Sequence, residues 1–195
     1  MMAEIYKNKV RHACLSAAIA ALGIMLLCGC VQKPFTRENA DITQVKRIAV
    51  LPFENFTSDP YAGEKIRRIV ITELLARGTD VVEPGEVTRL LIDMEVRSLR
   101  SIKITDIQEI GKKLNVDAIM TGSVEAFGIS RGISVSYPEV TINLMLLETS
   151  SGNIIWSVHQ STGGPSFWTR HFGSEGISLS EAANETVTEA IGALY

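Results

Sequence analysis

Beyond residue 30 the sequence contains no cysteine; the three it has, Cys14, Cys28 and Cys30, crowd near its start. That pattern excludes a disulfide framework and a cysteine zinc site in the body of the chain. Proline is scarce, at six in 195 residues, and glycine is ordinary at 15. With 46% hydrophobic residues the composition is that of a folded protein, not of a disordered or collagen-like one. Positive charge is not in excess: 19 Lys and Arg stand against 22 Asp and Glu, a net of −3, which leaves no basic footprint for nucleic acid. Histidine is rare, and His159 and His171 have no third ligand at matched spacing, so no metal site is expected. Gly164-Pro165-Ser166 lacks the Gly-x-Ser-x-Gly elbow of hydrolases. Gly122, Gly128 and Gly132 match neither a phosphate loop nor a dinucleotide fingerprint. No catalytic residue and no cofactor emerge, and the chain reads as a non-enzyme with room for one domain.

Long apolar runs are also missing. The longest, Ala13 to Leu27, would cover about 22 Å as a helix, against the roughly 30 Å of a bilayer's hydrocarbon core. It follows Lys7, Lys9 and Arg11, the layout of a secretory signal. The run ends in Leu27-Cys28-Gly29-Cys30, which resembles the bacterial lipobox. That resemblance makes Leu27, Cys28 and Gly29 the signal-peptidase site, residues 1–29 the signal peptide, and Cys30 the acceptor of a covalent diacylglyceryl group and an acyl chain. Three hydrocarbon tails on one residue hold a protein on a membrane, where a single chain binds marginally. Val31 after the cysteine, in place of Asp, implies by the same resemblance the outer membrane of a Gram-negative cell and a domain on its periplasmic face. Cleavage removes three basic residues and one acid, leaving a net of −5, so attraction to anionic lipids is not what holds the chain there.

Residues 31–45 are polar and without sustained period, and read as a tether that, extended, lets the domain stand about 45–50 Å from the membrane. A single domain over 46–195 follows. Lys46 to Phe53 reads as a strand buried on both faces. Asp59-Pro60 supplies a cap and a first-turn proline for a helix ending at Arg77-Gly78. Its apolar face is Ala62, Ile66, Ile69, Val70 and Leu74; Glu64, Lys65, Arg67, Arg68 and Glu73 turn to water. Thr79 to Glu83 is a short strand, and Pro84-Gly85 leads into a helix striped by Val87, Leu90, Leu91 and Met94. A third helix starts at Thr105, with Gln108 completing a capping box, and presents Ile107, Ile110 and Leu114. From Val116 the pattern becomes a β-meander, its surest hairpin Val140 to Glu148 with Ile154 to His159. A last helix, Glu181 to Leu194, is capped by Ser178 and buries Leu179, Ala183, Val187, Ile191 and Leu194. The fold class is α/β (α+β): a mixed sheet with a C-terminal antiparallel meander, flanked by helices.

Three segments together, RIAVLPFENFTSDPYAGEKIRRIVITELL, IGKKLNVDAIMTGSVEAFG and VTINLMLLETSSGNIIWSVH, resemble the CsgG-type lipoproteins. That group includes the curli secretion channel and the penicillin-binding-protein activator LpoB, with the amino-terminal domain of TolB as a more distant fold relative. The resemblance implies a non-enzymatic envelope lipoprotein that works through protein partners in envelope assembly or secretion, with homo-oligomers left open. Its alternative is a CsgG-type secretion channel subunit. The channel members insert two hairpins, and the corresponding places are Gly128 to Glu139 and Ser161 to Gly176. The first is too short for two membrane strands unless it borrows from its flanks, and Gly163-Gly164-Pro165 breaks the second early. The loop from Ser161 carries Phe167, Trp168, Arg170 and Phe172, side chains in which contact energy concentrates, and these four are the candidate partner-binding residues.

Overall fold

The computed structural model describes residues 33–38, 40–96, 102–131, 136–163 and 176–195. Its elements are β1 (Phe35–Thr36), a 3-10 turn (Ile42–Gln44), β2 (Arg47–Val50), β3 (Glu54–Asn55), α1 (Ala62–Ala76), β4 (Asp80–Val81), α2 (Pro84–Asp93), α3 (Ile104–Leu114), β5 (Ala118–Arg131), β6 (Ser136–Glu148), β7 (Ile154–Gly163) and α4 (Leu179–Gly192). The strands form one mixed sheet in the order β1-β7-β6-β5-β2-β4, with β3 also on β5. β2, β3 and β4 run parallel to their neighbours, while β5, β6, β7 and β1 pair antiparallel.

Period two decides the faces. Along one face of β6 Val140, Ile142, Leu144 and Leu146 are buried, and with Met120, Val124, Trp156 and Val158 they pack beneath α1 and α4. On the other face, at its parallel end, Ala49, Leu51, Ile119 and Leu147 meet Val87 and Leu91 of α2 and Ile107, Ile110 and Leu114 of α3. Both helical layers bury the centres of the stripes expected of them, with Ile69, Leu90, Met94 and Leu179 partly buried at the edges.

The helix ends show where local chemistry was read correctly. Ser178 accepts from the amide of Glu181 at 3.2 Å while Glu181 accepts from that of Ser178 at 2.7 Å, a reciprocal capping box. Gly78 closes α1 with φ of +84°, a conformation that favours glycine. Pro84 opens α2 behind Glu83, whose carboxylate accepts from the Glu86 amide at 2.8 Å; hydrogen bonds from the amides of Gly85 and Glu86 hold that carboxyl below its ordinary value.

Five expectations are corrected. Pro60 precedes α1, in a turn where Asp59 accepts from the Tyr61 amide at 2.9 Å. α3 begins at Ile104, because Asp106 accepts from the Lys103 amide at 3.1 Å and so caps the helix before Thr105 can; Gln108 instead donates to the carbonyl of Ser150 at 3.0 Å. Arg67 does not turn to water: it is 3% exposed. The tether is shorter than 31–45, because Phe35 and Thr36 pair with Ser157 and Trp156, Arg37 bonds the carbonyl of Ile155 through its amide at 3.0 Å and that of Ile154 through Nε at 2.9 Å, and Asp41 caps the 3-10 turn. Finally, the loop read from Ser161 starts later, because β7 continues through Ser161 to Gly163; β5 and β6 likewise pair as far as Arg131 with Ser136.

Candidate partner-binding surfaces

The lengthened strands make a three-stranded arm. β2 pairs with β5 at Ala118 to Met120, β3 at Ser123 and Val124, and past that point β5, β6 and β7 continue without the rest of the sheet. At the point of departure the ladder slips: Val124 pairs with Ile142 and Ala126 with Thr141, so Glu125 is bulged out. A bulge reverses the alternation of its strand. Phe127 therefore faces the same way as Val140 and packs on the main core, while Ala126, Gly128 and Ser130 share the other face with Thr141, Glu139 and Tyr137.

That other face is polar, and among the described residues no helix covers it. Across it run Ser123, Asn143 and His159 in one row and Thr141 and Ser161 in the next, the latter two hydrogen-bonded at 2.8 Å. His159 Nδ1 lies 4.0 Å from Glu125 Oε2, so the bulged carboxylate reaches over the middle strand. Beneath them Asn143 Oδ1 is buried and accepts no hydrogen bond. Ser130 donates to Glu139. Ser123 and His159 stand two strand spacings apart, about 9–10 Å, too far for a nucleophile and its base. Among the described residues no group of three or more His, Cys, Asp or Glu is placed to hold a metal ion. The face can present hydrogen bonds to a partner.

A second polar region surrounds the β6–β7 turn. Two shallow depressions of about 360 and 390 Å³ share Thr149 and Ser150 and extend to Lys112 and Asn115 on one side and to Asp41, Asp117 and Glu148 on the other. Asp117 is engaged there, accepting from the amides of Lys46 and Arg47 at 2.9 Å each.

Of the residues singled out from sequence, His159 lies on the arm face. Leu27, Cys28, Gly29 and Cys30, the aromatic group Phe167, Trp168, Arg170 and Phe172, and His171 lie outside the described residues. The polar arm face was not anticipated. Its signal was present as a slip of phase in Val124-Glu125-Ala126-Phe127, where apolar residues stop alternating. Among the described residues no helix is long and apolar enough to cross a membrane.

No protein-family model matches the chain, and no curated protein matches it. Solved structures do. The PelC dodecamer from Paraburkholderia phytofirmans is similar over 84% of this chain and 96% of that chain, at 19% identity and a TM-score of 0.58. Lipoprotein GNA1162 from Neisseria meningitidis is similar over 75% of this chain and 97% of that one, at 16% identity and a TM-score of 0.53. The chain shares their fold. At these identities the likeness reaches the architecture and stops there.

Proposed function

We propose that the chain is an outer-membrane lipoprotein, anchored through Cys30, whose periplasmic domain acts without catalysis as an accessory in envelope assembly or secretion by contacting protein partners. The observation that carries this reading is the conjunction of the Leu27-Cys28-Gly29-Cys30 pattern with a domain whose fold is also that of a solved lipoprotein. The uncovered polar face of the arm and the Phe167 to Phe172 segment are the surfaces offered for contact. Self-association belongs to the same reading, because the similar PelC structure is a dodecamer.

The channel alternative gains one point and loses another. In its favour, β5 and β6 extend to Arg131 and Ser136. Against it, a membrane barrel turns its apolar face to lipid, and here Val140, Ile142 and Leu144 are buried in the core that includes α1 and α4 residues.

The test is to label cells with a radioactive fatty acid and to weigh the protein in solution. Label on the wild type and none on Cys30→Ser is expected. The Cys30→Ser chain from residue 30 should be a soluble monomer or small oligomer by light scattering; conductance in planar bilayers from the detergent-extracted wild type would reverse the order of the two readings.

A further inference from the structure

β7 is an edge strand over its second half. β1 covers it at Trp156 and Ser157, and among the described residues no strand pairs with its outer side from Val158 to Gly163. Opposed residues of antiparallel strands alternate between pairs that exchange hydrogen bonds and pairs that do not. The Arg37 amide donates to the Ile155 carbonyl at 3.0 Å, so the backbone groups of Ile155 face β1, and by the same alternation those of Ser157, His159 and Ser161 face the same way. Past β1, the N–H and C=O of His159 and Ser161 are left at the edge. Exposed edges are commonly blunted by lysine, proline or a bulge. Val158 to Gly163 has no Lys and no Pro, and its register on β6 runs without a break from Leu144 to Glu139. The edge is open, and Phe35 and Thr36 already show that it takes up an extended segment.

The flank of this edge is acidic. Trp156 Nε1 donates to the Ala193 carbonyl at 3.3 Å and Gln160 Nε2 donates to Glu189, so α4 runs antiparallel along β7 with Glu189 at the Gln160 row. Glu185, one turn earlier, is exposed and lies further toward Gly163 on the same line of the helix. Neither α4 nor β7 contains Lys or Arg, and among the described residues no cation pairs with either glutamate. A strand added to β7 turns every second side chain to the α4 side, toward these two carboxylates.

We propose that β7 from Val158 to Gly163 is a docking edge that takes up an extended segment of a partner protein as a further strand, with Lys or Arg at the alternate positions facing Glu185 and Glu189. Main-chain hydrogen bonds to His159 and Ser161 hold the segment, and the two carboxylates select its charge. The inference narrows the proposed function to one edge and one partner chemistry, and rests on the protein-contact part of that reading.

The test uses the detergent-extracted full-length protein and, as probe, a fluorescent peptide of about eight residues in which Lys and Thr alternate. Binding by fluorescence anisotropy, with amide exchange of His159 and Ser161 slowed several-fold, is the expected result. No binding, or binding that leaves both amides exchanging as before, overturns the proposal. Both amides protected in the protein alone would assign the edge to this chain or to a second copy, and likewise overturn it. The same peptide N-methylated at every residue keeps its charge and loses its donors, and should bind roughly tenfold more weakly; equal binding would reduce the attraction to charge and sink strand addition. Glu185→Gln with Glu189→Gln, two exposed positions, should weaken the unmethylated peptide roughly tenfold at an unchanged melting temperature. Equal affinity there would remove the carboxylates from the proposal. An unlabelled Cys30 would sink the proposed anchor and leave this test standing, whereas an untouched edge would sink the docking inference and leave the anchored, partner-binding reading standing.

Discussion

The guanidinium of Arg67 donates through both Nε and Nη2 to one acceptor, the carbonyl oxygen of Val50, at 3.1 and 2.7 Å. Glu64 lies 3.5 Å from Nη1. A residue in the middle of α1 is thereby latched to the end of β2, and its burial pushes the guanidinium below its ordinary value. Removing it strands a buried carbonyl and a buried stem at once. Arg67→Ala should cost about 2–3 kcal/mol in urea unfolding, and Arg67→Lys should recover less than half of that, because an ammonium lacks the fork. Equal stability of all three proteins would show the latch to be idle.

Asn143 predicts the opposite sign. Its buried Oδ1 has no donor, so an apolar residue of similar shape removes an unpaid desolvation and nothing else. Asn143→Leu should leave stability unchanged or raise it by about 1 kcal/mol. A clear fall in melting temperature would mean that the amide is needed by the isolated fold. Unchanged stability with loss of partner capture would assign the amide to binding.

Glycine fixes two close approaches. A Cβ on Gly122 would collide with the backbone oxygen of Asn143, and one on Gly111 with the side chain of Thr149. Gly122→Ala meets main chain that cannot move aside and should destabilise by about 1–3 kcal/mol. Gly111→Ala should also destabilise, although alanine favours helix; a stabilised Gly111→Ala would show that Thr149 turns away freely.

Acidification should loosen α4 from its start. The amide and hydroxyl of Ser178 hold the Glu181 carboxyl below its ordinary value of 4.5. A carboxyl with a depressed folded pKa contributes stability above its unfolded pKa and loses it as pH falls through the folded one. Hydrogen exchange of the first turn of α4 should therefore quicken below about pH 4.5, and Glu181→Gln, which removes the titrating group, should remove the pH dependence of that turn. The same slope in both proteins would place its origin elsewhere.

Much of the fold was legible because local and global signals agreed. Val87, Leu91, Ile107 and Ile110 sit at helical spacing and are buried; Ser178 and Glu181 announce a helix and cap it. What was not legible depended on contacts distant in sequence. Arg67 looks like a solvated residue until β2 brings the Val50 carbonyl beneath it. Phe35 and Thr36 carry no strand signal of their own and pair only because β7 offers an edge. Asp106 and Thr105 both suit a helix start, and the choice between them is made by which one meets a free amide. Of the candidate surfaces, the arm was hidden by a bulge that breaks the very alternation by which strands are recognised.

Glu125 also constrains how the arm can change. One residue more or fewer between Val124 and Phe127 would exchange the two faces of β5 from there to the tip, sending Phe127 out of the core. Insertions and deletions there are tolerable only in pairs. Relatives with this architecture should accordingly differ in arm length by even steps, or else carry a second bulge that restores the count.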